Sequence, residues 1–261
     1  MSESAAGKLT LVALGSFPLI EPGDDLARII RGNLEKNKIT LQDGDILVIA
    51  QKIISKAEGR QVALDTVQPR EQALELARLT DKDPRIVELI LQESNQVVRY
   101  RMGLIVVEHR LGFICANAGI DRSNVSQEDA PGRESVLLLP ENPDLSAGMI
   151  RATLEKELGV QLGVLVIDSH GRAWRNGTVG ISIGLSGLPG VVNLRGEPDL
   201  FGYQLQVTEI AAADELAAGA SLLMGQANEG TPVVYVSGFP YRLREGSLTE
   251  LPREKEKDLF R

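Results

Sequence analysis

The sequence predicts an α+β chain, with mixed sheets and helices packed around them. Three observations predict it. Residues 45–50 and 163–167 are runs of mostly branched apolar residues without polar alternation, the pattern of strands buried on both faces. Apolar residues recur at helical spacing in 69–94, 147–158 and 208–223. Residues 96–116 hold two β-like runs around a turn, which reads as a hairpin.

The 261 residues suffice for one large domain or two small ones with a sizeable core. A net charge of −8, from 28 basic and 36 acidic residues, argues against non-specific nucleic-acid binding, which needs basic surface. The single cysteine, Cys115, excludes an intrachain disulfide and fits a reducing compartment. No apolar run approaches the roughly 20 residues that cross a bilayer, and the start lacks a signal-peptide core. The expectation is a cytoplasmic protein that binds neither membrane nor nucleic acid.

Residues 9–14 form a short apolar strand, followed by Phe17, Pro18, Leu19 and Ile20 and a Pro22-Gly23 turn. Phe17 and Pro18 could cover a flat ring or act as a hydrophobic plug. Asp24 or Asp25 caps a helix that buries Leu26, Ile29, Ile30 and Leu34. Strand 45–50 runs into Gln51, Lys52, Lys56 and Arg60; the cations sit four residues apart and fit either a solvated helical stripe or a phosphate clamp. Residues 69–80 and 83–94 read as two helices with Pro69 and Pro84 in their first turns, scaffold or oligomer surface without chemistry. His109 lies in the turn of the hairpin and reads as exposed; Cys115 reads as a small buried thiol.

The hairpin leads to Asn117-Ala-Gly-Ile-Asp-Arg-Ser-Asn124. Asp121 there is a candidate hard-cation ligand and Asn124 a nucleotide contact; an Asx-rich turn is the plain alternative. Residues 127–134 form a surface loop around Pro131-Gly132, and 135–140 a short strand. Residues 144–146 cap a helix over 147–158 that carries Met149, Ile150, Leu154 and Leu158 on one face.

Strand 163–167 then stops at Asp168-Ser169-His170-Gly171, with Arg172 and Arg175 close behind. A carboxylate and a hydroxyl at the end of a buried strand sit where open sheets place ligands, and two guanidiniums suit a metal-bound polyanion. The plain alternative is an Asx-turn with solvated arginines. Residues 188–198 are irregular, 199–203 form a turn and 208–223 a buried helix, whose Asp214-Glu215 either face solvent or assist a metal. The loop Met224-Gly225-Gln226-Ala227-Asn228-Glu229-Gly230-Thr231 allows close phosphate approach at its glycines, or simply caps the helix. A last strand spans 231–237, and the charged tail reads as exposed or flexible.

Taken together, Ile54-Ser-Lys-Ala-Glu-Gly-Arg60, the 117–124 loop, Asp168-Ser-His-Gly-Arg172 and Leu223-Met-Gly225 resemble the coenzyme F420-0:L-glutamate ligases, over residues 9–252 as one domain with flexible termini at 1–8 and 253–261. The resemblance implies an intertwined homodimer of mixed α/β fold. It implies a GTP-dependent amide ligase that adds L-glutamate to F420-0, and further γ-linked glutamates, through an acyl phosphate with release of GDP. It implies two divalent ions, Mg²⁺ or Mn²⁺, and leaves room for K⁺. By motif, Asp121 and Asp168 would hold one ion, and Ser169 and Gln226 the second. Phe17 to Ile20, Gln51, Lys52, Lys56, Asn124 and 224–231 would surround GTP. Small hydroxyl residues occur in the family where Gln51 and Lys52 stand, and an acidic residue is common in place of Gln226.

Lys56, Arg172 and Arg175 are candidates for stabilising charge on the transferring phosphate, and His170 for accepting the amine proton. Two other readings share parts of this logic: another metal- and nucleotide-dependent carboxylate ligase or kinase, and a non-catalytic module that binds a deazaflavin or nucleotide.

Overall fold

A computed structural model describes residues 7–123 and 134–259. Its centre is a five-stranded mixed sheet. β1 (Thr10–Ala13) lies at one edge, followed by β12 (Val233–Ser237), β2 (Ile46–Ala50), β8 (Gly163–Arg172) and β9 (Arg175–Ser186). β2 and β8 run parallel, with Ile46 opposite Gly163 and Ala50 opposite Ile167; the other pairs are antiparallel.

The unbroken apolar runs arise because both faces of this sheet are covered. Leu47, Ile49, Val164 and Val166 point into one core with α1 (Leu26–Lys36) and α5 (Pro143–Leu158). Ile46, Val48, Leu165 and Ile167 point into a second core with α6 (Ala212–Met224), whose Ala213, Leu216, Ala217 and Ala220 are all buried. Two glycines of β9 permit this sandwich. A Cβ on Gly180 would lie 2.6 Å from the Ala217 carbonyl of α6, and one on Gly184 would lie 2.4 Å from Pro143 Cβ of α5. The β-bulge at Ile183, between the pairs Val166–Gly184 and Ile167–Ser182, rephases the strand so that the two glycines face opposite layers.

Three predicted segments differ in the structure. Residues 168–172 are not a loop: β8 continues through them and turns at Ala173 and Trp174 into β9. The 96–116 region is a three-stranded meander rather than one hairpin, because a turn at Met102 and Gly103 divides its first half into β4 (Ser94–Arg101) and β5 (Leu104–His109), with β6 (Ile114–Ala116) on β5. Residues 208–211 precede the helix, and Glu209–Ile210 (β11) pairs with Val192–Asn193 (β10), inside the stretch read as irregular.

The remaining elements are of the expected type, but two helices start elsewhere than read: α5 at Pro143 rather than 147, and α3 (Glu71–Thr80) after Pro69 rather than with Pro69 in its first turn. Asp25 caps α1 through the Arg28 amide. Asn142 caps α5, one residue before its first-turn Pro143; Asp144, read as a cap, instead accepts from the backbone amides of Leu185 and Leu248. Pro84 opens α4 (Pro84–Gln92). A short α2 (Gln51–Ala57) follows β2 directly. β3 (Gln61–Ala63) pairs with β7 (Ser135–Leu137). Asn124 and most of the 127–134 loop, Pro131-Gly132 included, lie outside the described residues. Among the described residues no helix is long and apolar enough to cross a membrane.

Candidate active site

β8 outruns its parallel neighbour. Beyond the pair Ala50–Ile167 it keeps only β9, and a cleft of about 710 Å³ opens beside its last residues. Asp168, Ser169, His170 and Arg172 line one side. Lys52 of α2, Asp121 and Ser123 line the next, and Gln226 reaches in from the loop after α6. The opposite wall is the face of the small meander: Val98, Leu104, Val106 and Ile114, with Arg99 beside them. The cleft lies at the carboxyl end of a parallel pair, where open sheets bind ligands.

Asp121 is held from several directions. Asn117, Ala118 and Gly119 take left-handed backbone angles, with φ of 50°, 53° and 65°. Asn117 Oδ1 accepts the Ile105 amide at 3.2 Å, which offsets part of the strain in that turn. Asp121 then exchanges two backbone hydrogen bonds with Leu137, at 2.9 and 2.8 Å. Its Oδ2 accepts from Gln51 Nε2 at 3.0 Å and lies 3.4 Å from Lys52 Nζ. Gln51 is itself fixed, since its Oε1 accepts from Ser55 Oγ at 2.8 Å. Burial pushes the Asp121 carboxyl above the usual carboxylate range; Lys52 opposes this and the nearby Asp168 charge adds to it.

On β8, side chains alternate between the layers. Asp168 Oδ2 lies 3.0 Å from His170 Nε2, two residues on, and Ser169 Oγ donates to Gln226 Oε1 at 2.9 Å. Asp121, Asp168, Ser169 and Gln226 therefore offer two carboxylates, a hydroxyl and an amide oxygen, all hard donors. Among the described residues no three His, Cys, Asp or Glu side chains converge on one point, so an ion here would complete its shell with oxygens from phosphate, carboxylate or water.

The other predicted residues are spread more widely. Lys56 sits one turn after Lys52 on the same side of α2; burial and then the Lys52 charge lower its pKa. Phe17 packs against the α1 and α5 core, Pro18 and Leu19 are exposed and Ile20 is buried; none of the four lines the cleft. Arg172 lines the cleft, whereas Arg175, its partner across the hairpin, is exposed. Of loop 224–231, Gln226 alone reaches the cleft. Glu229 folds back onto the Ala227 amide at 2.8 Å, and Thr231 Oγ1 donates to the Leu223 or Met224 carbonyl at 3.3 Å. Arg60, one of the three clustered cations, turns away to the Leu139 carbonyl and Glu93. Asp214 is drawn inward to accept the Ser182 amide at 2.9 Å, away from the cleft lining.

His109 corrects the sequence reading most clearly: it is fully buried, not an exposed turn residue. Its ring stacks on Phe113 with centroids 5.2 Å apart and planes 5° from parallel, and Phe113 packs in turn against His170 at 5.4 Å. Cys115 is buried as expected; burial, with the Asp168 charge near it, pushes its thiol up to about 12. The apolar wall escaped sequence reading, although the every-second-residue spacing of Leu104 and Val106 carried the signal. The Asp168–His170 contact escaped because the segment was read as a turn, where i and i+2 do not share a face.

A mixed sheet that ends in a cleft of oxygen donors facing an apolar wall defines an α+β protein with the kind of concave, partly apolar cleft in which small-molecule enzymes bind substrate. The chain belongs to the F420-0:gamma-glutamyl ligase family, whose sequence model matches residues 15–238, and it is a ligase. It is 45% identical over 255 residues to the coenzyme F420:L-glutamate ligase of Methanothermobacter thermautotrophicus, covering 97% of this chain and 99% of that one. The enzyme of the same name from Methanocaldococcus jannaschii is 44% identical, over 85% of this chain and 86% of its own. That of Methanopyrus kandleri is 42% identical, over 98% and 100%.

Proposed function

We propose that this ligase joins L-glutamate to F420-0 and can add further glutamates, with GTP converted to GDP and phosphate. The carrying observation is that Asp121, Asp168, Ser169 and Gln226, from three distant parts of the chain, meet in one cleft of a protein that aligns with the ligases of that name over almost its whole length. The donors fit Mg²⁺ or Mn²⁺: all are hard oxygens, and the two carboxylates lie close enough for Asp168 to raise the pKa of Asp121. Asp121 and Asp168 would hold one ion, Ser169 and Gln226 a second.

A carboxylate resists attack by an amine. Transfer of the γ-phosphoryl group of GTP to an acceptor carboxylate oxygen makes an acyl phosphate and frees GDP. The glutamate amine then attacks the acyl carbon, phosphate leaves, and the amine gives up a proton. Bound divalent ions supply the charge neutralisation that lets two anions approach. The chain's own part is to hold the reactants in line. Lys52, 3.4 Å from Asp121, and Arg172, in the cleft lining, supply positive charge, and Gln51 keeps Asp121 in its rotamer. The wall of Val98, Leu104, Val106 and Ile114 offers an apolar surface to the flat deazaflavin ring, with Arg99 near its anionic substituents.

The test is incubation with F420-0, glutamate, GTP and Mn²⁺, with product read by mass. Addition of glutamyl residues matched by GDP release supports the proposal. Neither product nor GDP across a range of metal and nucleotide conditions rejects it.

A further inference from the structure

The inference concerns His170 and rests on the metal reading above. The imidazole is 7% exposed and directs Nε2 at Asp168 Oδ2, 3.0 Å away. A carboxylate oxygen accepts, so Nε2 carries the hydrogen. Nδ1 is buried and has no hydrogen-bond partner. One face of the ring is braced by Phe113, which is locked against the buried His109. The ring thus has one nitrogen committed to Asp168, the other sealed from the cleft, and a wall that fixes its rotamer.

We infer that His170 is a positioning residue: it clamps Oδ2 of Asp168 so that the carboxylate presents Oδ1 to a divalent ion, and it is not the acceptor of the amine proton. Buried histidines that orient a metal-binding carboxylate act by fixing the ligand, and loss of such a partner commonly costs about 10- to 100-fold in metal affinity. A proton acceptor needs a nitrogen reachable by the amine, and neither nitrogen of His170 meets that need.

The experiment measures Mn²⁺ binding to the protein alone, by the electron paramagnetic resonance signal of free Mn²⁺, for wild type, His170→Phe, His170→Gln and Asp168→Asn. Circular dichroism and thermal unfolding monitor the fold. Phe keeps the packing and removes the donor; Gln keeps an N–H near the position of Nε2. His170→Phe is expected to weaken Mn²⁺ about 10- to 100-fold. His170→Gln is expected to bind Mn²⁺ within about threefold of wild type, the rescue that a retained donor predicts. Should the Phe variant fail to fold, the Gln variant carries the test alone. A kcat loss of about 100-fold or more in His170→Gln at saturating Mn²⁺, the size expected for a lost proton acceptor, overturns the inference. So does unchanged Mn²⁺ affinity in His170→Phe while Asp168→Asn loses it. If Asp168→Asn binds Mn²⁺ as wild type does, the metal reading fails and the inference goes with it.

Discussion

Glu93 closes α4, and its side chain ties that helix to the exit of α2 and to the turn between β5 and β6, elements whose other residues line the cleft. Arg60, from the exit of α2, donates to Glu93 Oε2 at 2.8 Å, and Arg110, from the turn between β5 and β6, donates at 2.9 Å. Arg60 also holds the Leu139 carbonyl and Arg110 the Glu141 carbonyl. Burial alone would raise this carboxyl, but its cationic and donor neighbours outweigh burial and hold it down at about 2, from an ordinary 4.5. Such a displacement corresponds to about 3 kcal/mol of stability at neutral pH. Two facts reduce the figure. His109 Nε2 is 3.7 Å from Glu93, beyond hydrogen-bond range, and burial lowers the histidine's own pKa; the guanidiniums are also 20% and 29% exposed. We therefore expect about 2 kcal/mol from the network.

The sign follows from the depressed pKa. The contribution is fully present above about pH 4.5 and is lost as pH falls through about 2. Glu93→Gln keeps the shape and removes the charge. Urea unfolding of wild type and variant from pH 7 down to pH 2.5 should show a gap of about 2 kcal/mol that holds to pH 5 and narrows steadily below it, with the m-value unchanged. A gap of the same size at pH 3 and pH 7 would falsify the electrostatic account and leave only a shape effect.

The other expectations concern the cleft and its supports. Asp121→Ala and Asp168→Ala should each cut glutamate addition by 100-fold or more while leaving the circular dichroism spectrum unchanged, an order of magnitude set by lost charge stabilisation; wild-type turnover in either removes that residue from the metal site. Gln226→Glu keeps an acceptor for Ser169 and adds a charge, so Mn²⁺ binding should tighten severalfold; unaltered affinity in the Mn²⁺ titration argues that Gln226 is not a ligand. Gly180→Ala forces a Cβ to within 2.6 Å of the Ala217 carbonyl and Ser221 Cβ, and should destabilise by about 1–3 kcal/mol in denaturant melts; a neutral result would mean α6 can slide on β9. Native Cys115 should resist iodoacetamide at pH 8 and react only on unfolding, whereas stoichiometric labelling of the folded protein would contradict its burial.

How much of this was legible before the structure depends on where the stabilising partner lies. β2 and β8 could be read directly because two-sided burial leaves contiguous apolar runs, and the cap at Asp25 because a cap is satisfied within three residues. Asp121 and Asp168 could be flagged because carboxylates beside buried strands are costly unless used. Residues 168–172 were misread for a physical reason: once β8 passes Ile167 it loses β2, and its side chains meet a cleft instead of a core. The pattern turned polar while the backbone stayed extended, held by β9 alone. Hydrophobic patterning reports what a side chain touches, not what the backbone pairs with, so a strand that runs out of its sheet into a ligand site looks like a loop. His109 fails by the opposite route. Its neighbours Glu108, Arg110 and Gly112 read as a turn, and the features that bury it, Phe113 stacked on its ring and Glu93 closing α4 beside it, required the meander to fold back on α4. The same reasoning locates where this chain's chemistry should sit: at the stretch where extended backbone and polar side chains disagree, since a fold keeps such a mismatch only where something other than its own core makes use of it.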